Sequence, residues 1–146
     1  MVEAWRAPVV SGPLHGAVQV PGSKSITNRA LVLAALADAP TRILGALLAR
    51  DTRLMVAGLR ELGADVRAGT APTELLVEPG PVLGGGTIDC GLAGTVMRFL
   101  PPVAALAAAP VGFDGDAHAR LRPLGPLAGA LRALGAQVSG DALPIT

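Results

Sequence analysis

Lys24 is the only lysine in the chain, and it lies in Pro21-Gly-Ser-Lys-Ser-Ile-Thr-Asn-Arg29 between two of the four serines. Asn28, in the same segment, is the only asparagine. A sequence otherwise poor in small polar residues gathers them where a β-like segment gives way to a helical pattern. The start of a helix exposes N–H groups without intrahelical partners and the positive end of the helix dipole. Together these favour an anion by about 0.3–1 kcal/mol, and up to about 2 kcal/mol when partly buried. Ser25 and Arg29, four apart, share one helical face, with Lys24 just before it. Anion binding is the chemistry this junction supports; the plainer alternative is a serine N-cap beside a surface lysine. A nucleotide-binding P-loop is excluded by spacing. Ser23 separates Gly22 from Lys24, and position 17, where the leading glycine would fall with that insertion ignored, holds Ala17.

A second junction, Asp89-Cys-Gly-Leu-Ala-Gly-Thr-Val-Met-Arg98, has the same character. At an offset of 70 residues Thr95 falls on Ser25. Gly94 allows close backbone approach, and Thr95 with Arg98 presents a hydroxyl and a cation near a helix start. Two such junctions suit a ligand with more than one acidic group, or two acidic ligands. Arg50 and Arg122 share an offset of 72 residues, each just before the second helix of its unit. A guanidinium there can fork a carboxylate or phosphate, or simply be solvated. Asp114-x-Asp116-x-His118 resembles a metal triplet, but it surrounds a Gly115 turn with no second histidine nearby, so no metal site is expected. Cys90, in strand-like Thr87-Ile-Asp-Cys, reads as a small buried hydrophobe, and Met55 and Met97 read as core filling.

The elements that must position these residues are delimited by Gly and Pro. Alternation over Gly16–Val20 predicts a strand, and helical spacing follows from about Ser25 to Asp38. A short strand is expected at 41–44. A second helix is expected at 52–62, with Asp51 as N-cap and Gly63 as its stop, then strands at 64–67 and 74–78. Residues 79–86 read as a loop. The pattern then returns: Ala35-Leu-Ala-Asp-Ala-Pro40 matches Ala105-Leu-Ala-Ala-Ala-Pro110 at an offset of 70. Leu59-Arg-Glu-Leu-Gly-Ala-Asp-Val66 matches Leu131-Arg-Ala-Leu-Gly-Ala-Gln-Val138 at an offset of 72. The expected organisation is an α/β (α+β) fold of repeated β-α-β-α-β-β units. It divides into an N-terminal strand segment (1–20), a first unit (21–86) and a second (87–146) whose last strand begins at Leu143.

Composition narrows the class. Twelve basic against eleven acidic residues, with 2% aromatics, argue against a nucleic-acid surface. A single cysteine excludes an internal disulfide and suits a reducing compartment. The N-terminus shows no basic segment followed by an apolar one, and the longest apolar run, Phe99–Phe113, is broken by three prolines. A cytoplasmic protein without membrane contact is the expectation.

VPGSKSITNRALVLAALA, the following RDT, then CGLAGTVMRF and RLRPLGPLAGALRALGA resemble the EPSP synthase family in order and spacing. The resemblance covers nearly the whole chain. It implies a transferase of the shikimate pathway of aromatic amino-acid biosynthesis, moving the enolpyruvyl group of phosphoenolpyruvate onto the 5-hydroxyl of shikimate 3-phosphate with release of phosphate. It implies no cofactor or metal, a monomer at full length, and two lobes of three units each. Position by position, Lys24 resembles the catalytic lysine that touches both substrates, and Ser25 and Arg29 those holding shikimate 3-phosphate. Gly94 would offer its amide to phosphoenolpyruvate, Arg122 would pair with an acidic group of that substrate, and Thr95 and Arg98 would complete the pocket. Asp51 would orient Lys24. Both substrates are multiply anionic, which suits these residue types.

The departures are Leu92, where the family usually has Asn, and Arg50, where a small or acidic residue is commoner. Members of the family are also about three times longer, and the resemblance puts the Asp, Glu and Lys of proton transfer outside these residues. The chain is therefore expected to be a fragment that does not catalyse alone. Two alternatives stand beside this. One is the sister transferase acting on UDP-N-acetylglucosamine, disfavoured by Ser25 after Lys24 and by the lack of a cysteine in the loop before Arg122. The other is a non-catalytic remnant that binds anions or assembles with another chain.

Overall fold

The computed structural model describes residues 4–146. Residues 4–23 form no helix or strand and are exposed throughout. This corrects the strand expected at Gly16–Val20. Alternation specifies which face of a strand is apolar, but a strand exists only when a neighbour takes its hydrogen bonds, and none pairs with this segment among the described residues.

The first unit follows as α1 (Lys24–Ala35), β1 (Thr41–Ile43), α2 (Arg50–Glu61), β2 (Asp65–Ala68) and β3 (Leu75–Glu78). The second comprises β4 (Thr87–Asp89), α3 (Gly94–Ala104), β5 (Gly112–Asp114), a single turn α4 (Ala117–Arg120) and α5 (Gly125–Ala133). The three strands of the first unit form an antiparallel sheet in the order β1-β3-β2, with Arg42 opposite Leu76 and Val66 opposite Val77. Strand β4 pairs in parallel with β5, Ile88 opposite Phe113. The strand expected from Leu143 is reduced to one antiparallel bridge, Ile145 to Phe113. Ser139 and Thr146 exchange N–H···O bonds beside it. These last contacts correspond to those β3 makes with β1 and β2, while the parallel β4–β5 pair has no counterpart in the first sheet.

The 72-residue repeat has a physical basis. Gly63 and Gly135 both adopt positive φ, 101° and 96°, just past α2 and α5, where the left-handed conformation favours glycine. The amides of Ala64 and Ala136 then bond back to the carbonyls of Leu59 and Leu131, each at 3.0 Å. Arg60 Nε donates to Val66 O at 2.9 Å, and Arg132 Nε to Val138 O at 3.0 Å. The matched Leu, Arg, Gly, Ala and Val are the parts of one helix-stop device, used twice.

Helices α1 and α2 lie against the antiparallel sheet, and α3 packs against both of them. Leu31, Met55, Leu59, Val66, Val77, Ile88, Met97 and Leu100 are fully buried in one shared core. Met55 and Met97 are therefore core residues, and Cys90 is buried as well. The core fixes the mutual orientation of α1, α2 and α3.

Candidate substrate site at three helix starts

The helix starts differ from expectation in ways that matter for the site. Helix α1 begins at Lys24, and its N-cap is Ser23, whose Oγ accepts from Ile26 N at 3.4 Å. Lys24 and Ser25 are therefore the first two residues of the helix. Helix α2 begins at Arg50 with Ala49 as N-cap, so Asp51 lies in the first turn and is not the cap. Its carboxylate is used elsewhere: Oδ2 lies 2.9 Å from Lys24 Nζ, joining α1 to α2. Thr27 Oγ1 accepts from Leu47 N at 3.1 Å, and Thr52 Oγ1 donates to Leu47 O at 2.7 Å, so both helices hold the loop that leads into α2.

Helix α3 opens with Gly94 and Thr95, at positions equivalent to Lys24 and Ser25 in α1. Its N-cap is Ala93, and no side chain caps its first turn. Neither α1 nor α3 carries an acidic residue in that turn. Both starts therefore keep the positive end of the dipole, and α3 also keeps its free amides. Arg98 Nη1 donates to Gly94 O at 3.3 Å, and Arg122 Nη1 to Leu92 O at 3.0 Å. A methyl group on Gly94 would lie 3.1 Å from Arg98 Nη1 and 3.4 Å from Arg122 Nη1. Two guanidinium groups thus converge on the space a Gly94 side chain would take. Among the described residues neither Arg98 nor Arg122 pairs with a carboxylate.

The remaining residues singled out by sequence fall as follows. Arg29 donates through Nη1 to Ser25 O at 3.2 Å, so the two do share a face, and its guanidinium stands 5.1 Å from the Phe99 ring centroid. Arg50 forks a carboxylate of the protein itself, with Nη2 at 3.0 and 3.2 Å from the two oxygens of Asp116. Asp114 is gripped by Arg120 at 2.9 and 2.7 Å, and this pairing, with the Gly115 amide, holds its carboxyl below the ordinary carboxylate range. The same contact raises Arg120. Both carboxylates of the Asp-x-Asp-x-His segment are thus taken by arginines. Burial, with the charges of Asp89 and Asp114, pushes the Cys90 thiol up to about 12, which leaves it protonated and unreactive at neutral pH.

Sequence spacing missed two contacts. Asn28 Nδ2 donates to Thr95 Oγ1 at 2.6 Å across the α1–α3 seam, and Phe99 provides the platform for Arg29. A buried asparagine inside a helix signals a polar partner, but its identity lies 67 residues away. A separate apolar cavity of about 260 Å³ lies between the far end of α3 and α5, lined by Pro101, Ala104, Phe113, Leu127 and Leu131. It contains none of these residues.

The family model described as EPSP synthase (3-phosphoshikimate 1-carboxyvinyltransferase) matches residues 9–145. A solved structure of EPSP synthase from Acinetobacter baumannii superposes with a TM-score of 0.76 at 27% identity, covering 89% of this chain and 31% of that one. A second structure of EPSP synthase from the same organism gives 0.75 at 27% identity, with the same coverage. The chain thus spans about a third of the length of the proteins it matches. A family match over nearly its whole length, with this superposition, establishes that the chain belongs to the EPSP synthase family.

Proposed function

We propose that these residues carry part of the substrate site for transfer of the enolpyruvyl group from phosphoenolpyruvate to the 5-hydroxyl of shikimate 3-phosphate, with release of phosphate. The observation that carries this reading is the convergence of Arg98 and Arg122 on Gly94 at an uncapped helix start. Phosphoenolpyruvate brings a carboxylate and a phosphate, and the Gly94 amide with the two guanidiniums supplies directed donors for such groups. Lys24, held by Asp51 at the start of α1, faces the same substrate pair as a point charge, and Ser25 and Arg29 take the shikimate phosphate. Thr95 completes the wall between the two. A cytoplasmic setting belongs to the same reading: the family is biosynthetic, and no helix among the described residues is long and apolar enough to cross a membrane.

Here the protein's part is to bind and neutralise. Carbon–oxygen bond formation and phosphate departure redistribute negative charge, and fixed cations and amides stabilise that charge most in a site that excludes water. Calorimetric titration of the chain with phosphoenolpyruvate tests the reading. Saturable binding that Arg122→Met weakens, without phosphate release from these residues alone, is expected. Affinity unchanged in Arg122→Met would defeat it.

A further inference from the structure

Asn28 is the polar side chain of the α1–α3 seam that the substrate contacts leave unused. It is fully buried in the interior of α1, where asparagine is a weak helix former and its amide is costly to bury unless satisfied. Only half of that amide is satisfied. Nδ2 donates to Thr95 Oγ1 at 2.6 Å, while Oδ1 has no hydrogen-bond partner in the protein. An apolar side chain at this position would avoid that penalty, and α1 is already anchored by Leu31, Ala34 and Ala35. The amide therefore adds direction to the seam more than it adds cohesion. Apolar packing tolerates small slides between helices, whereas a short hydrogen bond fixes one atom against another. The atom held on α3 belongs to its second residue, adjoining Gly94. The atom that holds it lies one turn from Lys24 and next to Arg29.

We infer that Asn28 is a positioning residue: through Thr95 Oγ1 it fixes the start of α3 against the start of α1. It thereby sets the separation of Lys24 from the Gly94 amide that a ligand with two acidic groups must span. The identity of that ligand rests on the reading above; the positioning does not. Asn28→Leu and Thr95→Val each remove the bond, and Thr95→Ser keeps it. Amide spectra of the 146-residue chain, thermal unfolding, and titrations with phosphoenolpyruvate and with inorganic phosphate form the test. Each bond-removing variant leaves the other partner without its hydrogen bond, so both are expected to lower the unfolding midpoint while staying folded, Thr95→Val more because the whole Asn28 amide is then buried unpaired. They should shift the amide resonances of Lys24, Gly94 and Thr95 but not those of Val103 and Ala104 at the far end of α3, with Thr95→Ser close to wild type. Phosphoenolpyruvate affinity should fall roughly tenfold to a hundredfold, while inorganic phosphate, which can sit at one helix start, loses little.

Equal losses for both ligands, or unmoved Gly94 resonances in a folded variant, would overturn the inference. Should Asn28→Leu fail to fold, the smaller Asn28→Ala, which also removes the bond, carries the same test. If the wild-type chain does not take phosphoenolpyruvate but Gly94 still responds to substitution of Asn28, the substrate reading falls and the positioning stands.

Discussion

The two units share a ground plan and differ in how they treat charge. In both, the first helix opens without an acidic residue, and an arginine bonds back to a carbonyl in the first turn, Arg29 to Ser25 and Arg98 to Gly94. At α1, however, Ser23 caps the helix and Asp51 neutralises Lys24 at 2.9 Å. At α3 there is no side-chain cap, and two guanidiniums stand without carboxylates among the described residues. The hairpins that end the two units also differ. In the first, Glu74 is buried and accepts from Ala71 N, Arg42 Nε, Thr70 N and Thr70 Oγ1. In the second, Arg132 meets a largely exposed Asp141 at 2.8 Å. At the helix starts, then, the first unit ties Lys24 to a carboxylate, whereas the second leaves Arg98 and Arg122 available to a ligand.

The largest expected effect tests that difference at the helix starts. Arg122→Met should weaken phosphoenolpyruvate binding more than Lys24→Met does. Loss of one charge-assisted contact costs about 1.5–3 kcal/mol, or roughly tenfold to a hundredfold in affinity. Lys24 begins from a state already shared with Asp51, so its loss should fall at the low end of that range. Calorimetry on both variants decides; a greater loss for Lys24→Met would reverse the comparison.

Next in size is the contrast between hairpins. Hydrogen bonds from the Ala71 amide, Arg42 and Thr70, in that order, lower the Glu74 carboxyl from 4.5 to about 2. The folded state thus binds this proton more weakly than the unfolded chain does. The stabilisation is fully present above about 4.5 and is lost as pH falls toward about 2. Glu74→Gln should lower the unfolding midpoint at neutral pH and flatten its decline across that interval. Asp141→Asn should change stability by no more than about 1 kcal/mol, because the pair is exposed. Thermal unfolding of the three proteins between pH 2 and 7 separates the cases, and parallel curves for wild type and Glu74→Gln would refute the assignment.

What was legible in sequence follows the range of the interactions. The helix stop at Gly63 and its copy at Gly135 could be read because Arg, Gly, Ala and Val act within seven residues of one another. The anion-receptive starts could be read for the same reason, since a helix start is a local object. Spacing alone makes Asp51 a cap, because acids near helix starts usually serve the amides, and only the family resemblance points it to Lys24. Its true partner, Lys24, lies on another helix. Arg50 with Asp116 and Asn28 with Thr95 cross between units over 66 and 67 residues, and no local pattern specifies them. Gly16–Val20 shows the converse: its alternation is strand-like, yet pairing is not a property of the segment itself.

The smallest predicted effect asks whether Asp51 is what makes the two helix starts unequal. Asp51→Asn keeps the shape of the side chain and an oxygen for Lys24 Nζ but removes the charge. If charge balance explains the weaker pull at α1, inorganic phosphate should bind a few-fold more tightly to the variant at low ionic strength, a gain of about 0.3–1 kcal/mol. Lys24 is nearly half exposed and Asp51 about a quarter, so solvent and salt reach the pair. The gain should therefore shrink toward zero near 1 M salt, where the screening length is about 3 Å. A drop in affinity at low salt would mean that Asp51 acts by aiming the ammonium, since neutralising a nearby anion can only favour an incoming one unless geometry is lost with it. Phosphate titrations of wild type and variant at two ionic strengths distinguish a charge that restrains the α1 start from a charge that orients it.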